Sequence, residues 1–166
     1  FHNDHIDALA YIAEGADLVA LVFRGTKSER NWATNLRVEM VQPPNTDAHL
    51  RVHLGFLTAF SEISDGQHGI GSAMRKIAAE TAQKGIPIYM TGHSLGGALA
   101  QIAAAEFGSD QIAACYTFGS PRVGNAYFDL WVKPPSYRVE NYADLVPQIP
   151  WFSPHLPPVF YRQSGD

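Results

Sequence analysis

The stretch Thr91-Gly92-His93-Ser94-Leu95-Gly96-Gly97 follows a short apolar run at 86–91 and opens an alanine-rich run at 95–107. The first run predicts a strand and the second a helix. A chain that turns this sharply from strand to helix forces its central residue, Ser94, into a strained backbone conformation. Side chains two positions to either side would collide there, and the glycines at 92 and 96 remove the collision. The helix that follows points its first amides and its positive dipole end at the serine, where negative charge is stabilised. The pattern G-x-S-x-G therefore reads as a nucleophile elbow. A glycine-rich turn without chemistry is the alternative, and the flanking strand and helix count against it.

Outward from the elbow, the chain alternates strand-like and helix-like segments. Residues 18–23 form a continuous apolar run, which predicts a strand buried on both faces. Phe56, Phe60 and Ile63 stand at helical spacing and predict a short helix over 55–64. Ile70, Ala73, Met74, Ile77, Ala78 and Thr81 keep one apolar stripe, in a helix that ends at Lys84-Gly85. Further strands are predicted at 112–118 and 136–142, with a helix at 125–132 between them. This rhythm is that of a mostly parallel central sheet with helices on both faces. Pro147, Pro150, Pro154, Pro157 and Pro158 predict a stiff, irregular loop of the kind that carries function. No fixed-period repeat and no Gly/Ser linker divides the chain, so 1–166 reads as a single domain.

Composition narrows the function classes. At 166 residues, roughly 68–70% of the unfolded surface can be buried, enough for a core without staples. Twelve Lys+Arg stand against 16 Asp+Glu, a net charge of −4, which excludes nucleic acid as the main partner. With 46% hydrophobic and 17% charged residues the chain is neither disordered nor of low complexity. The longest apolar run, at 18–23, is far below the ~20 residues of a transmembrane helix. The single cysteine, Cys115, excludes an internal disulfide and a Cys-based zinc site. His2-Asn3-Asp4-His5 is too weak a cluster to count as a metal site, so no metal and no cofactor is expected.

A nucleophilic serine needs a base, and in sheets of this type the order along the chain is serine, acid, histidine. After Ser94 the sequence holds a single histidine, His155. The acids between them are Glu106, Asp110, Asp129, Glu140 and Asp144. Glu106 and Asp129 fall within predicted helices, Glu140 within a strand, and Asp110 in a loop at the wrong end of the sheet. Asp144 alone follows the C-terminal end of a strand, where catalytic loops of such sheets collect. The remaining histidines, His2, His5, His49, His53 and His68, precede the nucleophile and read as surface or structural groups. His93 reads as a packing and turn residue, and Cys115 as a small buried hydrophobe.

Several blocks, in order, resemble the class 3 (Rhizomucor-type) lipases of the α/β-hydrolase superfamily. They are Val22-Phe23-Arg24-Gly25-Thr26, Arg30-Asn31-Trp32, His53-Leu54-Gly55-Phe56, the elbow with Ala98-Leu99-Ala100, and Thr117-Phe118-Gly119-Ser120-Pro121-Arg122-Val123-Gly124-Asn125. Asp144-Leu145-Val146-Pro147 and His155 complete the series. The resemblance implies an α/β-hydrolase-like fold, short at its N-terminal side, and Ser94, Asp144 and His155 as nucleophile, acid and base. It implies oxyanion-hole amides at Thr26 and Leu95, although Thr26-Lys27-Ser28-Glu29 also reads as a capping box opening a helix.

The family also implies a short lid after Thr26. Residues 28–40 carry Trp32, Leu36 and Met40 at helical spacing, a stripe that fits either a lid or a helix packed on the core. Trp151 and Phe152, with Phe160, fit either an acyl-chain wall or local core. The implied activity is that of a triacylglycerol lipase or esterase acting through an acyl-enzyme. The implied partner is an ester or lipid substrate at a lipid–water interface, and the implied setting is extracellular. A feruloyl esterase or a phospholipase A1 would use the same site, and a non-catalytic hydrolase-like binding module would keep the elbow alone.

Overall fold

Strands and helices alternate through the computed structural model, which describes residues 2–3, 8–25, 39–65, 69–108, 112–150, 152–153 and 159–160. The strands are β1 (His2–Asn3), β2 (Ala8–Glu14), β3 (Val19–Arg24), β4 (Met40–Val41), β5 (Val52–His53), β6 (Ile88–His93), β7 (Ile112–Phe118) and β8 (Ser136–Val139). Two short ones follow, β9 (Phe152–Ser153) and β10 (Val159–Phe160). The helices are α1 (Leu54–Ser64), α2 (Ile70–Lys84), α3 (Leu95–Phe107) and α4 (Ala126–Trp131).

The central sheet runs in the order β1-β2-β3-β6-β7-β8. Its β3, β6, β7 and β8 are mutually parallel, while β1 and β2 are added antiparallel at one edge. This is the α/β-hydrolase-like class: a mostly parallel sheet with packed helices.

Parallel strands added in one direction through right-handed crossovers carry their connections on a common face. Burial agrees. Val19, Leu21, Phe23, Ile88, Met90 and Cys115 share one core cluster with Phe56, Phe60, Leu99, Ile102 and Phe128 of the helices. The strand expected to be buried on both faces instead alternates, with Ala20 and Val22 only half-buried. Their face carries a register row Tyr11, Val22, Thr91, Tyr116 and Tyr137. Tyr11, Tyr116 and Tyr137 remain 51%, 38% and 51% exposed, and the Tyr116 and Tyr137 rings stack at 4.9 Å.

Helix α3 is buried on every side from Leu95 to Ala105, as a helix apolar all round must be. The sheet covers one flank and α1 packs against another. Three backbones meet tightly here. A Cβ on Gly96 would stand 2.2 Å from the Phe23 carbonyl oxygen, and one on Gly92 would stand 2.1 Å from the Gly96 oxygen. Helix α1 buries Phe56, Ala59, Phe60 and Ile63. Its cap is His53, whose Nδ1 accepts the Phe56 N–H at 3.3 Å and whose ring stacks on Phe56 at 4.0 Å. Helix α2 ends, as its sequence predicts, at a left-handed Gly85 with φ 65°.

Several boundaries differ from the sequence reading. Met40, expected at the end of a helix over 28–40, lies in β4 and pairs with His53, because the chain there joins a two-residue ladder with β5. Residues 26–38 lie outside the described residues. The strand expected to reach Tyr142 stops at Val139, where the chain turns at Asn141. Strand β2 was not legible from its mixed small residues. It pairs with β3 through a turn closed by the Gly15 N–H on the Leu18 carbonyl at 2.9 Å. The proline-rich segment, read as irregular throughout, contains a 3-10 turn at Val146–Gln148 and the β9–β10 pair.

The glycines differ in what they tolerate. At Gly85 a Cβ meets nothing within 4 Å, so Gly85→Ala is expected to cost only the left-handed penalty of about 1–2 kcal/mol. At Gly96 the added carbon overlaps fixed backbone, and Gly96→Ala is expected to cost more than about 4 kcal/mol. Urea denaturation of the two variants checks the contrast.

Candidate active site

Ser94 sits between the end of β6 and the start of α3 with φ 54° and ψ −126°. A non-glycine residue at positive φ is sterically costly, and such strain persists only where the surroundings over-determine it. They do so here. The Ser94 N–H donates to the Phe118 carbonyl at 3.0 Å, and its own carbonyl accepts the Gly97 and Ala98 amides at 2.9 and 3.3 Å. The close approaches at Gly92 and Gly96 leave the turn no other path. The Ser94 Oγ is buried and has no hydrogen-bond partner among the described residues. Leu95, the first residue of α3, carries one of the amides that a helix leaves without an intrahelical partner.

The chain leaving β3 passes beside this serine. A Cβ on Gly25 would lie 2.7 Å from the His93 oxygen and 3.4 Å from the Ser94 Cβ. Gly25 thus brings the end of β3 close to the elbow, a contact its position at a strand end could have signalled. Thr26 itself lies outside the described residues.

Asp144 approaches from the next strands along the sheet. After β8, Asn141 organises the turn: its Oδ1 accepts the Ala143 N–H at 3.2 Å and its carbonyl accepts the Asp144 N–H at 2.8 Å. The Asp144 Oδ1 then accepts the Val146 N–H at 2.9 Å. Its Oδ2 lies over Gly119, 2.7 Å from where a Cβ would stand. Gly119 has φ 53° and donates its N–H to the Val139 carbonyl at 2.9 Å. Left-handed backbone and a carboxylate at van der Waals range both demand glycine there.

Two clefts open at this C-terminal edge of the sheet, sharing His93 and Phe118. One of about 370 Å³ is lined by Val22, Arg24, Gly25 and Thr91, and one of about 450 Å³ by Gly119, Val139, Asn141 and Asp144. His93 is exposed, lining both clefts beside Gly119, a more open position than a packing residue implies.

Among the expected site residues, the structure brings Ser94, Leu95 and Asp144 to one edge. His155, Trp32, Leu36 and Trp151 lie outside the described residues, and Phe152 is described only as backbone in β9. The rival acids are elsewhere: Glu106 is exposed on α3, Asp129 lies on α4, and Glu140 pairs with Arg138. Asp110 lies outside the described residues. Among the described residues no group of His, Cys, Asp and Glu could hold a metal ion, and no helix is long and apolar enough to cross a membrane.

Cys115 is fully buried in β7, and burial pushes its thiol up to about 12. It is a core residue, as its sequence context suggests. Ellman's reagent at pH 8 is expected to leave Cys115 unmodified in the folded protein and to titrate one thiol in guanidinium chloride.

Residues 20–153 match the family model for lipase (class 3). A secreted mono- and diacylglycerol lipase from Fusarium solani is 38% identical over 154 residues, covering 89% of this chain and 44% of the relative. A chloroplastic phospholipase A(1) from Arabidopsis thaliana is 30% identical over 152 residues, covering 80% of this chain and 33% of the relative. The chain therefore spans less than half the length of these relatives. A solved triacylglycerol lipase, whose catalytic centre is described as a serine protease triad, is 28% identical with a TM-score of 0.75. That match covers 96% of this chain and 67% of the other. With the strained serine, its glycine supports and the acid at the same sheet edge, the family-model match over residues 20–153 makes the chain a member of the class 3 lipase family.

Proposed function

We propose that this chain is a serine carboxylic-ester hydrolase in which Ser94 is the nucleophile, Asp144 the acid and His155 the base. The carrying observation is the backbone of Ser94, held at φ 54° by close glycine contacts at the start of a buried helix. Strain of that kind is maintained only by packing, and here it serves to present one hydroxyl. His155, oriented by Asp144, takes the Ser94 proton as the oxygen attacks the ester carbonyl. The amides of Leu95 and Thr26 receive the tetrahedral oxyanion, each donor being worth about 3–4 kcal/mol in comparable sites. Collapse expels the alcohol, protonated by His155, and water hydrolyses the acyl-enzyme by the same proton path.

The substrate reading is an acylglycerol or related lipid ester, supported by the relatives' names. Trp32 and Leu36 are the lid candidates and Trp151 and Phe152 the acyl-chain contacts, at a lipid–water interface. The word "secreted" in the Fusarium relative's name supports an extracellular setting. The Arabidopsis phospholipase A(1) supports a second reading, cleavage of a phospholipid acyl ester.

A fluorophosphonate probe is expected to label the wild type at Ser94 and to leave Ser94→Ala unlabelled; equal labelling of both would overturn the hydrolase reading. Rates on emulsified triacylglycerol, phosphatidylcholine vesicles and soluble p-nitrophenyl esters then rank the substrate classes. Gly119→Ala, which drives a methyl group into the Asp144 carboxylate, is expected to lower kcat on p-nitrophenyl butyrate about 100-fold. An Asp144→Ala variant with kcat within twofold of wild type would remove Asp144 from the mechanism.

A further inference from the structure

Gln101 is the one polar side chain in the buried stretch from Leu95 to Ala105 of α3. A buried amide in an apolar helix is destabilising unless it is hydrogen-bonded. Its Nε2 donates to the Ser120 Oγ at 2.9 Å, and both residues are 1% exposed. The same hydroxyl donates to the Pro121 carbonyl at 3.2 Å. Gly97 makes the approach possible, since a Cβ there would fall 2.7 Å from the Ser120 Cβ. From the other side the Arg138 Nη2 donates to the Ser120 carbonyl at 2.9 Å while the same guanidinium holds Glu140.

Ser120 follows Gly119, on which the Asp144 carboxylate rests, and Phe118, whose carbonyl accepts the Ser94 amide. Three consecutive residues thus touch the nucleophile's backbone, the acid's carboxylate and the helix behind the nucleophile. We propose that Ser120, clamped by Gln101 and Arg138, is a positioning residue that sets the Asp144 carboxylate relative to Ser94. This rests on the triad reading above. Ser120 touches no reacting atom; its effect passes through Gly119. Misplacement of a catalytic group by about 1 Å is enough to cost up to 100-fold in rate, whereas ester binding does not depend on the acid.

The test is the kcat-against-KM split for Ser120→Ala, Gln101→Leu and the double variant on p-nitrophenyl butyrate, with the rate of fluorophosphonate labelling at Ser94. Each single variant is expected to lower kcat and the labelling rate about tenfold, with KM within about twofold. The double variant is expected to lose no more than the larger single loss, because the Gln101–Ser120 hydrogen bond is lost in all three. A folded Ser120→Ala with wild-type kcat, a loss carried by KM, or single losses that multiply would each overturn the proposal. If Ser120→Ala does not fold, Arg138→Lys carries the test. A single ammonium cannot reproduce the guanidinium fork, so kcat is expected to fall about threefold at constant KM, and an unchanged kcat overturns the clamp. A wild type labelled no differently from Ser94→Ala would instead refute the triad reading, a separate result.

Discussion

Everything at the catalytic edge depends on how closely α3 is allowed to approach β3 and β6. At Gly96 the helix backbone meets the Phe23 carbonyl, and at Gly92 the strand meets the helix, with no room for a Cβ at either point. That contact leaves Ser94 a single conformation, at positive φ, and it buries α3 so completely from Leu95 to Ala105 that all but one of those residues are alanine, leucine, isoleucine or glycine. The strain at one serine is therefore balanced by the burial of a whole helix, between the sheet and α1. Small side chains on α3 are what let the three layers close.

The acid is fixed by a different means. Asp144 belongs to a loop, and loops are positioned by hydrogen bonds more than by packing. The Asn141 turn, the Val146 amide and the Gly119 surface define its carboxylate. Gly119 is in turn tied to β8 through the Val139 carbonyl, and its neighbour Phe118 to Ser94. Residues 118–120 thus form the common support of a nucleophile held by sterics and an acid held by polar contacts.

Much of this was legible in the sequence because it rests on local patterns. The spans of α3 and β7 follow from continuous apolar runs, and the end of α2 from Lys84-Gly85. The elbow and Asp144 follow from glycine spacing and chain order. What escaped depends on partners distant in sequence. Strand β2 has no alternation to reveal it and exists through its pairing with β3. Met40 continues a helical stripe in sequence, yet its pairing with His53 claims it for a strand. Half-burial of Ala20 and Val22 reflects what lies across the sheet, which no local window contains. Gln101 did leave a signal, a lone amide in an apolar helix, but its meaning required the position of Ser120.

The strand order carries a last consequence. Many open parallel sheets bind ligands in the crevice where the strand order reverses direction. Here β3, β6, β7 and β8 succeed one another without reversal, so the two clefts at this edge are not switch-point crevices between diverging strands. Among the described residues, the walls beside the elbow come from the segments after Gly119 and Val139. The segment after Val139 thereby carries a wall and the acid together. The elbow is frozen by its glycines, while the acid that serves it rides on a connecting segment whose course is held by the Asn141 turn and the Gly119 contact.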